Sequence, residues 1–142
     1  MSPAGTPAHA SPYRALIVED DPAIRRLVEK LLTRHHFQID SAADGKTAMS
    51  KLLTGKYSVM VLDLMLPEGS GFDVIDFVKE KNVDLPIAVV SAVSQQALTR
   101  LDLGVVKLVI SKPFDVDEFT SAILAICREK ELADHSSPLP DR

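Results

Sequence analysis

The chain has 142 residues, 46% hydrophobic and 25% charged, with a net charge of −4; a chain this long buries roughly 70% of the surface it exposes when unfolded, enough for one real core. The acidic balance offers no broad basic field for nucleic acid, the single Cys127 excludes an internal disulfide, and no apolar run approaches the ~20 residues that span a bilayer. Met1–Pro12 lacks the apolar stretch of a secretory signal, so the expected compartment is the cytoplasm.

Residues 13–132 read as the folded domain, because residues 1–12 and 133–142 are rich in Ser and Pro, have little to bury, and are expected to be disordered. Between them, short continuous apolar runs alternate with helical spacing, the pattern of buried parallel strands covered by helices. Ala15–Val18 is a first strand. Asp21 and Pro22 then open a helix, since Asp caps free amides and proline suits the first helical position, and Ile24, Leu27, Val28, Leu31 and Leu32 share one face. Phe37–Ala42 alternates as an edge strand does, Asp44–Leu53 is a short helix, and Tyr57–Leu62 runs as a strand into Asp63. After a loop with Pro67, Gly69 and Gly71, a helix turns Phe72, Ile75 and Val78 inward. Pro86–Val90 is the fourth strand, ending at Ser91. Gln95–Leu103 is a weaker helix, and Leu108–Ile110 is the fifth strand, ending at Ser111-Lys112-Pro113. The last helix opens with Asp115 and Glu118 in capping-box spacing, buries Phe119, Ile123 and Ile126, and is expected to fray near Leu132. Right-handed crossovers then give an α/β fold: a doubly wound, five-stranded parallel sheet with helices on both faces.

In such a sheet, ligands bind outside the carboxyl ends of the strands, where the strand order reverses. Glu19, Asp20 and Asp21 follow the first strand, Asp63 the third, Ser91 the fourth and Lys112 the fifth. Close carboxylates repel by about 4 kcal/mol per pair at 4 Å and an effective dielectric of 20, so a positive group belongs among them. Lys112 supplies one charge, and an oxygen-only site open to water suits Mg²⁺, with Mn²⁺ also fitting. With a metal in place, Asp63 can attack a phosphoryl donor as a nucleophile, while Ser91 and Lys112 assist the transferred group.

The constellation resembles the receiver domain of bacterial two-component response regulators over nearly all of residues 14–128. The matching stretches are Leu16-Ile17-Val18-Glu19-Asp20-Asp21-Pro22, Val61 to Pro67 with Gly71, Ser91-Ala92 and Ser111-Lys112-Pro113-Phe114. The resemblance implies a flavodoxin-like receiver fold in which Asp63 is the phosphoacceptor. Asp20, Asp63 and the Met65 carbonyl would bind the metal directly, and Glu19 largely through water. It implies a cis Lys112–Pro113 peptide. It also implies a histidine kinase or histidine phosphotransfer protein as phosphoryl source, output through the fourth helix, fifth strand and fifth helix, and a phosphorylation-dependent homodimer through that face. The chain would catalyse only its own phosphorylation and dephosphorylation, with no direct contact to nucleic acid or membrane.

Two departures qualify the match. Receivers usually carry Tyr or Phe three residues before the lysine, where this chain has Val109, and Leu103-Gly104-Val105-Val106-Lys107 replaces small and acidic residues. Met65 and Val93, two residues after Asp63 and Ser91, are apolar, from which slow self-dephosphorylation is expected. Other residues have plainer readings. Asp21 is a helix cap, His35-His36 a solvated helix end, Arg25, Arg26, Lys30 and Arg34 a solvated basic strip, and Cys127 a small buried residue. Leu64, Met65 and Leu66 are expected to close the site. The competing functions are a metal-dependent small-molecule phosphohydrolase, a flavodoxin-like cofactor binder, and a phosphate-independent pseudo-receiver. An acidic first turn disfavours the cofactor binder, because phosphate needs amide donors there. Nothing after the last helix reads as an output domain, so the chain is either a stand-alone receiver or part of a longer regulator.

Overall fold

The continuous apolar runs become strands buried on both faces, because successive side chains of a strand point to opposite sides. A computed structural model describes residues 13–92 and 95–135. The expected tail at residues 1–12 and residues 136–142 of the tail expected at 133–142 lie outside the described residues, as does Val93. The elements run β1 (Arg14–Val18), α1 (Pro22–Thr33), β2 (Gln38–Ala42), α2 (Gly45–Thr54), β3 (Val59–Leu62), α3 (Gly71–Glu80), β4 (Ile87–Ser91), α4 (Gln95–Leu98), β5 (Val106–Ser111) and α5 (Val116–His135). All strands pair in parallel, in the order β2-β1-β3-β4-β5. The doubly wound α/β architecture is therefore the one the sequence pattern implies.

Alternation within each strand divides the core in two. Leu16, Val18, Met60, Leu62, Ile87 and Val89 face α2 and α3, packing on Ala48, Leu52, Val74, Ile75 and Val78. Ala15, Ile17, Val59, Val61, Ala88 and Val90 face α1 and α5, packing on Val28, Leu32, Phe119, Ile123, Ile126 and Cys127. Full burial of each large side chain contributes about 1.5–3 kcal/mol, so the two layers fix the strand ends that carry polar groups. Helix starts are specified locally. Asp21 accepts from the Ala23 and Ile24 amides, Asp44 from Thr47, Asp115 from Glu118, and Ser70 forms a reciprocal capping box with Asp73.

The fourth helix departs from expectation: instead of spanning Gln95–Leu103, it ends at Leu98. The Leu101 amide bonds Leu98, and the Asp102 carbonyl accepts from both Val105 and Val106, while the Asp102 carboxylate takes the Gly104 amide at 2.7 Å. A short polar side chain that satisfies nearby backbone donors competes with helix. The segment is also drawn onto α3 by the Lys79–Asp102 ion pair at 3.0 Å and by Arg100 lying 4.3 Å over the Phe72 ring. β5 is correspondingly longer than Leu108–Ile110, and it enters the sheet through a register shift opposite Ile87 and Ala88. α5 continues to His135, past the expected fraying at Leu132.

Candidate functional site

Glu19, Asp63 and Lys112 each sit one residue beyond a strand, Asp20 two residues beyond β1, and Ser91 is the last residue of β4, all at the same edge of the sheet. Backbone pairing extends past the strands to hold them: the Glu19 amide donates to Ala42 at 3.0 Å, Asp63 to Val18 at 3.0 Å, and Lys112 to Ser91 at 3.1 Å. This edge includes the β1/β3 junction, where the strand order reverses.

Glu19, Asp63 and Ser91 are buried, at 5%, 5% and 4% exposure, whereas Asp20 is exposed. One carboxylate oxygen from each of Glu19, Asp20 and Asp63 lies within 4.8 Å of the others. Lys112 Nζ donates to Glu19 Oε1 at 2.6 Å and to Asp63 Oδ2 at 2.9 Å. Ser91 Oγ and the Met65 amide donate to Asp63 Oδ1 at 2.8 and 3.0 Å, so both Asp63 oxygens are oriented. The Lys112–Pro113 peptide is cis.

Burial raises the Glu19 pKa. Hydrogen bonds from Lys112 and the Asp21 amide pull it down, the Asp63 charge pushes it up, and the net shift is upward. Burial alone would lower Lys112, but its bonds to Glu19 and Asp63 outweigh that and hold it above the ordinary lysine range. The lysine is thus a fixed cation facing two buried carboxylates. The set offers hard oxygen ligands for a divalent ion, a held carboxylate nucleophile, a hydroxyl and a cation.

Other sequence-derived candidates fall elsewhere. Val109 lies on edge strand β5 at 37% exposure. His35 and His36 are exposed at the far end of α1 from Asp21. Cys127 is buried at 2% exposure, and burial pushes its thiol up to about 12. The apolar run after Asp63 does not close the site as a unit, because Leu64 turns into the core at 2% exposure while Met65 is 64% exposed. Arg25 does not lie in the solvated strip expected for it. The guanidinium is instead half-buried and donates to the Glu19 carbonyl at 2.8 Å. Its position on the first turn of a helix that starts at the acids was the available signal. Gly45 was missed as well. Its amide meets the Pro67 carbonyl at 3.3 Å, and a Cβ there would lie 1.8 Å from the Gly69 carbonyl oxygen. Gly69 itself has φ +92°, which glycine adopts freely.

Comparison with known proteins identifies the family and the fold. The family model for the response regulator receiver domain matches residues 15–124. The transcriptional regulatory protein DltR of Streptococcus agalactiae is 36% identical over 121 residues, covering 84% of this chain and 54% of that protein. The response regulator ArlR of Staphylococcus epidermidis is 32% identical over 132 residues, covering 89% and 59%. Among solved structures, the response regulator TrrA of Thermotoga maritima, in complex with Mg²⁺ and BeF, is 28% identical with a TM-score of 0.72, covering 80% of this chain and 98% of that one. The chain spans a little over half the length of the curated relatives it matches. It belongs to the response regulator receiver domain family.

Proposed function

We infer that this receiver domain accepts a phosphoryl group on Asp63, taken from a phosphohistidine of a histidine kinase or a histidine phosphotransfer protein. The carrying observation is the Asp63 carboxylate itself. It is buried, with both oxygens held by Ser91, the Met65 amide and Lys112, and with the Glu19 and Asp20 carboxylates beside it. The donor set fits Mg²⁺, or Mn²⁺, because the three carboxylates are hard oxygen ligands and exposed Asp20 leaves a side open to water. Asp20, Asp63 and the Met65 carbonyl would hold the ion, with Glu19 acting largely through water. The Mg²⁺ and BeF bound by the Thermotoga relative support this assignment. A bound divalent ion supplies positive charge that offsets the repulsion among the acids and on the transferred group.

The chain's own residues do the rest. An Asp63 oxygen attacks phosphorus as the donor's nitrogen–phosphorus bond breaks, and the electron pair leaves with the imidazole nitrogen. The new oxygen–phosphorus bond makes an acyl phosphate. Lys112 faces the equatorial oxygens as a fixed cation, and the Ser91 hydroxyl, released from Asp63 Oδ1, donates to one of them. The output surface is assigned to α4, β5 and α5, with a downstream protein or a second copy of the chain as partner. Self-dephosphorylation is slow, because the side chain two residues after Asp63 is an apolar methionine that cannot orient a water.

Intact mass after incubation with acetyl phosphate tests the reading. A gain of about 80 Da, one phosphoryl group, is expected with Mg²⁺ and is lost on chelation or in Asp63→Asn. No adduct under any condition would favour a pseudo-receiver that signals without phosphate.

A further inference from the structure

Arg25 stands at the end of its helix that disfavours a cation. It lies in the first turn of α1, which has no acidic residue. The free amides of a helix start act as partial positive charge, and opposing charges there are worth about 0.3–1 kcal/mol. The half-buried side chain folds back over the β1–α1 turn, where Nη1 donates to the Glu19 carbonyl at 2.8 Å and approaches the Asp20 carbonyl at 3.4 Å. The neighbouring Arg26 is exposed.

The turn it grips carries like charges. Two buried carboxylates at the 4.8 Å limit seen for Glu19 and Asp63 repel by about 3.5 kcal/mol at an effective dielectric of 20. Asp20 adds a smaller, solvent-screened share. Lys112 holds the Glu19 and Asp63 carboxylates directly. Asp20 is restrained through its backbone, between the Glu19 carboxylate that accepts the Asp21 amide at 3.1 Å and the guanidinium over the two carbonyls.

We propose that Arg25 is a positioning residue for the metal centre. By pinning the Glu19 and Asp20 carbonyls, it keeps both acids directed at Asp63 before a divalent ion arrives, and its charge offsets part of their mutual repulsion. The inference rests on the metal-binding reading above and assigns the ion's affinity in part to a residue that never touches it. Groups that orient metal ligands from behind commonly change affinity by about 10–100-fold when removed.

The test is a Mn²⁺ titration of the full chain without any phosphoryl donor, read from the electron paramagnetic resonance signal of the free ion. Arg25→Met is expected to raise the dissociation constant about tenfold, and Arg25→Lys to recover part of the loss through a single ammonium. Arg26→Met makes the same change in net charge and is expected to stay within about twofold, as for a screened surface charge. Equal losses in Arg25→Met and Arg26→Met, or no loss in Arg25→Met, would overturn the positioning role. Should Arg25→Met lose its cooperative melt, Arg25→Lys decides alone: a rise of about threefold or more supports the role, and an unchanged constant overturns it. Asp20→Asn separates the two readings. If it binds Mn²⁺ as tightly as the wild type does, the metal centre itself is misassigned and the proposal falls with it. With acetyl phosphate, Arg25→Met should need more Mg²⁺ for half-maximal rate but approach the wild-type rate at saturation. A lowered saturating rate at unchanged half-saturation would contradict the role.

Discussion

Lys112→Met removes the cation that faces both buried carboxylates while keeping most of the stem volume. Nζ lies 2.6 Å from Glu19 and 2.9 Å from Asp63, attractions of about 6 kcal/mol each at an effective dielectric of 20. Desolvation of the ions offsets most of that gross gain. The expected cost is therefore that of a buried pair broken on one side, about 3–5 kcal/mol at neutral pH. The deficit depends on pH. Burial, with the Asp63 charge adding to it, already places the folded Glu19 pKa above its ordinary 4.5, so protonation favours the folded state. That contribution is present at low pH and is lost as pH rises through the folded value. Without Lys112 the upward pull on Glu19 grows, so the variant should recover stability on acidification more than the wild type does. Mg²⁺ should also restore it, by about 2.7 kcal/mol at a hundredfold excess over the dissociation constant. Urea unfolding at neutral pH and near pH 5, with and without Mg²⁺, measures each effect. A variant within about 1 kcal/mol of the wild type at neutral pH, or one whose deficit is the same in acid, would refute the electrostatic reasoning.

Gly45→Ala should destabilise the fold by about 1–3 kcal/mol despite alanine's better helix propensity, because its Cβ would meet the Gly69 carbonyl oxygen at 1.8 Å; chemical denaturation reads this, and a stabilised variant would show that the loop after Asp63 yields. Met65→Asn should shorten the lifetime of the phosphorylated chain severalfold by offering a polar group to an attacking water, followed by loss of the mass adduct with time. A lifetime of seconds in the wild type that the substitution leaves unchanged would contradict the role given to Met65. Cys127 should resist thiol reagents in the folded protein and react on unfolding, because its folded pKa is about 12 against about 8.5 for a free thiol. The same difference predicts stability that is full below about pH 8.5 and declines as pH climbs toward 12.

Much of the architecture was legible because its causes are local or periodic. Runs such as Ala15–Val18 and Ile87–Val90, alternating with helical spacing, fit strands buried on both faces of a parallel sheet. Once the strands are placed, Glu19, Asp63, Ser91 and Lys112 fall at one edge by chain geometry alone. Asp21 and Asp115 announced two helix starts through capping chemistry. The illegible parts depend on contacts distant in sequence. The loop after α4 is tied to Lys79 and Phe72, which no local pattern encodes, whereas the Asp102 turn onto Gly104 that also ends the helix is local. Arg25 looked like surface charge because its partners are backbone carbonyls, which carry no sequence signature. The 1.8 Å approach at Gly45 reflects a loop from another crossover, so its glycine read only as a helix residue.

The position of the phosphoryl group on the chain tests the role of Asp63 most directly. Treating the acetyl phosphate product with borohydride reduces an aspartyl phosphate to homoserine, and peptide sequencing by mass then reads the position. Homoserine at residue 63, dependent on Mg²⁺ and absent from chelated samples, is the expected result. Homoserine at Asp20 or elsewhere, or an adduct that borohydride cannot reduce, would contradict the assignment of Asp63 as the acceptor.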